Sequence, residues 1–104
     1  MTQDIFFRIN SSAISAAEQV KVDVLANYLK NNPAARVTIT GYADRATGYP
    51  AYNMKISQAR AQRVATALET AGIAADRITL DAKGDTVQPY DTIARNRVAI
   101  AVTE

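Results

Sequence analysis

A chain of 104 residues with 48% hydrophobic and 21% charged side chains has the composition of one soluble globular domain, and it can bury a core without staples. Its net charge of +2 comes from basic and acidic residues scattered along the chain, which leaves no basic patch for nucleic acid and no polybasic segment for a membrane surface. The lack of cysteine and histidine removes disulfides, thiol nucleophiles and the commonest general base and metal ligand, so no cofactor, metal or catalytic residue is expected. The longest apolar runs, Ile5 to Phe7 and Val98 to Val102, are too short to span a bilayer. Met1 is therefore read as the start of a single excised domain, residues 1–104, with any membrane-attached part lying before it.

Residues 4 to 9, DIFFRI, are β-branched and aromatic, and Ile5, Phe7 and Ile9 alternate as the inward face of a strand. Ser15 with Glu18 forms a capping box that starts a helix near Ala16, and Asn31-Asn32-Pro33 stops it. Ala17, Val20, Val24, Leu25, Tyr28 and Leu29 make its apolar arc. Arg36 to Gly41 alternates again, with Val37 and Ile39 inward.

The loop that follows carries Asp44, Gly48 and Pro50, and Ser57, or less favourably Asn53, caps a second helix that Gly72 ends. A third strand covers Arg77 to Ala82 with Ile78 and Leu80 inward. After a polar loop from Lys83 to Arg95, a fourth strand covers Arg97 to Thr103 with Val98, Ile100 and Val102 on one face. The order β-α-β-α-β-β, with one apolar face per strand, predicts an α+β two-layer sandwich: a four-stranded mixed sheet with both helices on one face.

One residue breaks the pattern. On the second helix Ile56, Val64, Ala67, Leu68 and Ala71 share an apolar arc, and Arg60 falls inside it. A guanidinium keeps its charge, so burial obliges it to find an anion or to reach water. With Ser57 as the cap, Arg60 would also lie in the first turn, against the helix dipole. It either forms a structural ion pair with Asp44 or snorkels along the helix edge, or else the two residues present opposite charges to a zwitterionic ligand.

At these positions the chain resembles the OmpA-like peptidoglycan-binding domain family. Val37 to Asp44 matches its V-x-I-x-G-[HY]-[TA]-D segment, and Tyr52-Asn53, Ile56-Ser57 and Arg60-Ala61 match Y-N-x-x-L-S-x-x-R-A. Gly72-Ile73 with Arg77-Ile78, and Lys83-Gly84-Asp85 with Pro89, extend the similarity over nearly the whole chain.

The resemblance implies a non-catalytic module of the periplasm, held to the outer membrane through a longer envelope protein and anchoring it to the cell wall. Its partner would be the peptidoglycan stem peptide, with Asp44 and Arg60 binding diaminopimelate and Asn10, Tyr42, Ala43, Asn53, Ile56 and Arg97 near the groove. No nucleic acid is implied, membrane contact would come only through the missing N-terminal part, and a homodimer is compatible with the reading. The chain departs from the family in three places: Gly48 stands four residues after Asp44 instead of three, Asn96 replaces an arginine, and Arg8 replaces an acidic residue.

Two other readings compete. One keeps the fold as an OmpA-like structural or oligomerisation domain that has lost peptidoglycan binding. The other is a small enzyme or an RNA-binding sheet, disfavoured because no nucleophile-base pair, metal cluster or run of stacking aromatics is present.

Overall fold

The computed structural model describes all 104 residues. Six elements follow in the expected order: β1 (Thr2–Phe6), α1 (Ala16–Asn31), β2 (Val37–Gly41), α2 (Pro50–Thr70), β3 (Ile78–Ala82) and β4 (Val98–Thr103). The sheet runs β1-β4-β2-β3. β4 is antiparallel to both β1 and β2, and β3 lies parallel to β2. Ile5, Val37, Ile39, Ala99 and Ala101 join Val22, Leu25 and Leu29 of α1 and Val64 and Leu68 of α2 in one core, so both helices cover the same face.

Four details differ from the sequence expectations. β1 stops at Phe6, and Ile9 is exposed because the chain turns at Arg8, where Ser11 N–H donates to Arg8 O (3.2 Å). Asn10 takes a positive φ of 55° in that turn, a conformation asparagine tolerates better than most residues. On α1 the buried stripe is Val22, Leu25, Ala26 and Leu29, spaced 3-1-3, while Val20 and Val24 are 61% and 42% exposed. At 100° per residue they point away from Val22, and the arc read from sequence was too broad. Only half of the capping box forms: Ser15 Oγ accepts from Glu18 N–H (3.3 Å), but the Glu18 carboxylate turns to the sheet.

On β4 the helices rest on Ala99 and Ala101, while Val98, Ile100 and Val102 lie on the opposite face. The small residues follow from how near α2 comes to the sheet. Gly41 pairs with Ala99, and a Cβ added at Gly41 would lie 1.8 Å from the Ser57 carbonyl oxygen. On β3, Leu80 faces the helices but stands at the sheet margin, beside a groove of about 630 Å³ shared with Lys55, Ala59 and Gln62 of α2.

Each outer strand ends in an outward amide that is met by a carboxylate paired with a lysine. Beside β1, Glu18 Oε1 accepts from Phe6 N–H (2.6 Å), and Lys21 Nζ donates both to Asp4 O (2.9 Å) and to Glu18 (3.0 Å). Beside β3, Lys83 N–H turns to Gly41 O (3.0 Å), so the preceding amide faces outward. That amide, Ala82 N–H, donates to Asp81 Oδ1 (2.8 Å), whose Oδ2 holds Lys83 Nζ (3.1 Å).

Candidate functional site

The chain leaves β2 through Tyr42 and Ala43 and delivers Asp44 to a buried position, 1% exposed. Its carboxylate is held from two sides. Oδ1 accepts from Thr47 N–H (2.9 Å), the Thr47 hydroxyl lies 2.9 Å from Oδ1 and 2.8 Å from Oδ2, and Arg97 Nη1 donates to Oδ2 (3.3 Å). A hydroxyl has one hydrogen to give, so the carboxylate retains acceptor capacity beyond these donors. Arg97 is itself fixed, since its Nε donates to Phe7 O (3.1 Å) and its amide lies at the mouth of β4.

Arg60 is likewise 1% exposed, as its place in the apolar arc requires. It meets no carboxylate. Nε donates to Ser11 O (3.0 Å), Nη1 to Tyr42 O (2.9 Å) and Nη2 to Arg8 O (3.2 Å), and the fork has more N–H groups than these three. Its pKa is lowered to about 10, chiefly by burial and then by the Arg97 charge, with Asp44 and Tyr52 opposing the shift. The guanidinium is still charged at neutral pH. Two arginines around one aspartate leave the cluster with an excess positive charge.

The expected first-turn position of Arg60 is not what forms. α2 begins at Pro50, with Tyr49 as an extended N-cap lacking a side-chain bond; proline presets the helical φ at that first position. Arg60 therefore lies roughly three turns in, beyond the reach of the helix-end charge. Ser57 is not a cap. It is buried, accepting from Gly84 N–H (3.0 Å) and donating to Met54 O (2.8 Å), which ties α2 to the loop after β3.

A groove of about 260 Å³ lies between the turn at Asn10 and Ser12 and the residues Tyr52, Lys55, Ile56 and Ala59 of α2, and neither Asp44 nor Arg60 is part of its lining. Asn10 and Ile56 are both in that lining. Tyr42 contributes its carbonyl to Arg60, and burial raises its phenol pKa, with Lys83 opposing and Asp81 adding. Ala43 gives its carbonyl to Gln88 Nε2 (2.9 Å). Asn53 is buried and braces the loop, donating to Thr47 O and to Asp85 Oδ2, both at 2.9 Å.

The OmpA family model matches residues 6–100. The chain belongs to the OmpA family. It is 45% identical over 96 residues to outer membrane protein 40 of Porphyromonas gingivalis, which covers 92% of this chain and 25% of that protein. It is 35% identical over 99 residues to the probable lipoprotein YiaD of Escherichia coli, which covers 95% of this chain and 43% of the relative. The chain thus spans less than half of these relatives. Among solved structures, the peptidoglycan-associated lipoprotein from Burkholderia pseudomallei superposes with a TM-score of 0.90 at 25% identity, covering 97% of this chain and 89% of that one.

In this OmpA-family domain two site features were not read from the sequence. Thr47, the direct partner of Asp44, stands three residues after it, a spacing at which an aspartate commonly accepts from a following amide. The loop from Asp44 to Tyr49 is also stitched to the loop after β3: Arg45 N–H donates to Gln88 Oε1 (3.0 Å), and the Arg45 guanidinium donates to Asp85 O and Thr86 O. Asn96, at the family's arginine position, is buried and organises its own loop, bonding both the amide and the carbonyl of Tyr90.

Proposed function

We propose that this domain binds peptidoglycan without catalysis, through the diaminopimelate of the stem peptide, and that it forms the wall-binding part of a longer periplasmic envelope protein attached to the outer membrane. Arg60 takes the ligand carboxylate in a forked contact, and Asp44 takes the ammonium. Tyr42, Ala43, Asn53 and Arg97 hold these two in place, while Asn10 and Ile56 flank the ligand. One observation carries the reading: a buried guanidinium bonded only to neutral carbonyls, in a cluster with excess positive charge. An incoming carboxylate would supply the missing counter-charge. Membership in the OmpA family and similarity to a peptidoglycan-associated lipoprotein support it.

Because both charged groups are 1% exposed, binding requires the turn around Arg8 to Ser12, or the Thr47 side chain, to give way. The test is co-sedimentation with purified sacculi of Asp44→Asn and Arg60→Lys, variants that keep side-chain size, with circular dichroism as the folding control. Both are expected to lose sedimentation while folded; retention by both overturns the proposal.

The near-complete burial of Asp44 and Arg60, each 1% exposed, favours a second reading, an OmpA-like structural or oligomerisation domain that has lost the activity. Titration with free diaminopimelate separates the two, since the first moves amide resonances near Asp44 and the second leaves them still.

A further inference from the structure

Tyr49 is the most exposed of the large apolar side chains, at 64%, and its backbone is constrained on both sides. It lies between Gly48, whose φ is +70°, and Pro50, the first residue of α2. A Cβ at Gly48 would come within 2.4 Å of Asn53 Oδ1, so the loop is pressed against the buried asparagine that braces it. Tyr49 O accepts from Asn53 N–H (2.8 Å). A large aromatic ring is therefore presented to solvent from a fixed turn, where little backbone ordering remains to oppose binding.

The ring is not isolated. Its centroid lies 5.8 Å from that of Tyr52, with the planes inclined by 40°, and Tyr52 lines the groove it shares with Asn10 and Ile56. Through Tyr52 the ring pair adjoins that groove, whose lining also offers Asn10, Ser12 and Lys55 as polar groups. An aromatic face carries partial negative charge; the C–H face of a pyranose is its complement, and ring hydroxyl and acetamido groups find the polar side chains. Tyrosine suits such contacts, giving rigid amphipathic area at low entropic cost.

We propose that Tyr49 and Tyr52 form a saccharide subsite that stacks a neutral N-acetylated hexopyranose of the glycan strand from which the stem peptide hangs. The source of the sugar rests on the stem-peptide reading above; the stacking chemistry does not.

The test follows the ring resonances of Tyr49 and Tyr52 by NMR during titration with a tetramer of N-acetylglucosamine, without peptide. Isothermal titration then compares a disaccharide-peptide with the bare peptide, for the natural domain, Tyr49→Ala and Tyr49→Phe. Both rings are expected to shift with the saccharide. Tyr49→Ala should weaken the glycan-bearing ligand by about fivefold, the scale of one aromatic contact, without changing the bare peptide, and Tyr49→Phe should restore it. Rings unmoved by saccharide and disaccharide-peptide alike, or a Tyr49→Ala variant that binds both glycan ligands unchanged, overturn the proposal. If the rings shift with the saccharide while neither peptide ligand binds, the saccharide subsite stands and the diaminopimelate reading falls.

Discussion

Arg97 reaches Asp44 at 3.3 Å from the threshold of β4, so the aspartate's direct cation is on the strand beside it and not on α2. Arg97→Ala should leave a carboxylate that is 1% exposed with Thr47 alone, at a cost of about 3 kcal/mol, typical when one partner of a buried pair is removed. In a double-mutant cycle with Asp44→Ala, urea midpoints should show the two losses to be strongly non-additive. Additive losses would mean that the pair contributes nothing.

Arg60 gives a second, independent stability test. Arg60→Lys keeps a charge but cannot reach Ser11 O, Tyr42 O and Arg8 O with one planar fork. Leaving one of these carbonyls unpaired should cost about 1–3 kcal/mol, read as a lower urea midpoint.

The same residue has a pH signature. Its folded pKa, lowered to about 10 chiefly by burial, lies below that of the unfolded chain. At neutral pH it is charged in both states and the desolvation cost is fully present. Above about pH 10 the folded state sheds the proton first, the unfolded state binds more protons, and this group's contribution to stability rises with pH. The stability difference between the natural domain and Arg60→Met should therefore shift toward the natural domain as pH climbs past 10. A difference independent of pH would show that the buried guanidinium keeps its proton throughout.

The phenols have the opposite sign. Tyr90 is raised first by the hydrogen bond it donates to Asp4 and then by burial, and Tyr42 is raised chiefly by burial. A raised phenol stabilises the fold fully below its ordinary pKa and loses that contribution as pH rises through the folded value. Of the five tyrosines, two should ionise late in a phenolate absorbance titration. Tyr90→Phe should leave one.

Gly41→Ala is expected to be the most damaging single methyl in the domain. With 1.8 Å from its Cβ to the Ser57 carbonyl, α2 must move off the sheet, at a cost of about 3 kcal/mol or more. A melting temperature within a degree or so of the natural domain's would show that the helix can shift freely.

Much of this was legible in the chain. The strand alternation placed Ile5, Val37 and Ile39 correctly, and the helical wheel placed Arg60 in the core, because both periodicities are local geometry. Tertiary choices were hidden. Which face of β4 meets the helices depends on how near α2 comes at Gly41, and apolar content alone favoured the valines over Ala99 and Ala101. The partners of Arg60 are carbonyls, which every sequence has and none advertises. Thr47 was a side chain in a loop read only for its breakers, and Pro50 was read as the end of a loop when it begins a helix.

The carboxylate-lysine pairs at Glu18 with Lys21 and at Asp81 with Lys83 carry a consequence for how copies of this domain share space. An open sheet with bare outer strands recruits its neighbours, because unpaired amides and carbonyls template a further strand. Here the outward Phe6 and Ala82 amides are already bonded, so at those two points a neighbouring molecule meets a carboxylate-lysine pair instead of a free amide. A further strand could add at those ends only by first displacing a carboxylate and its lysine.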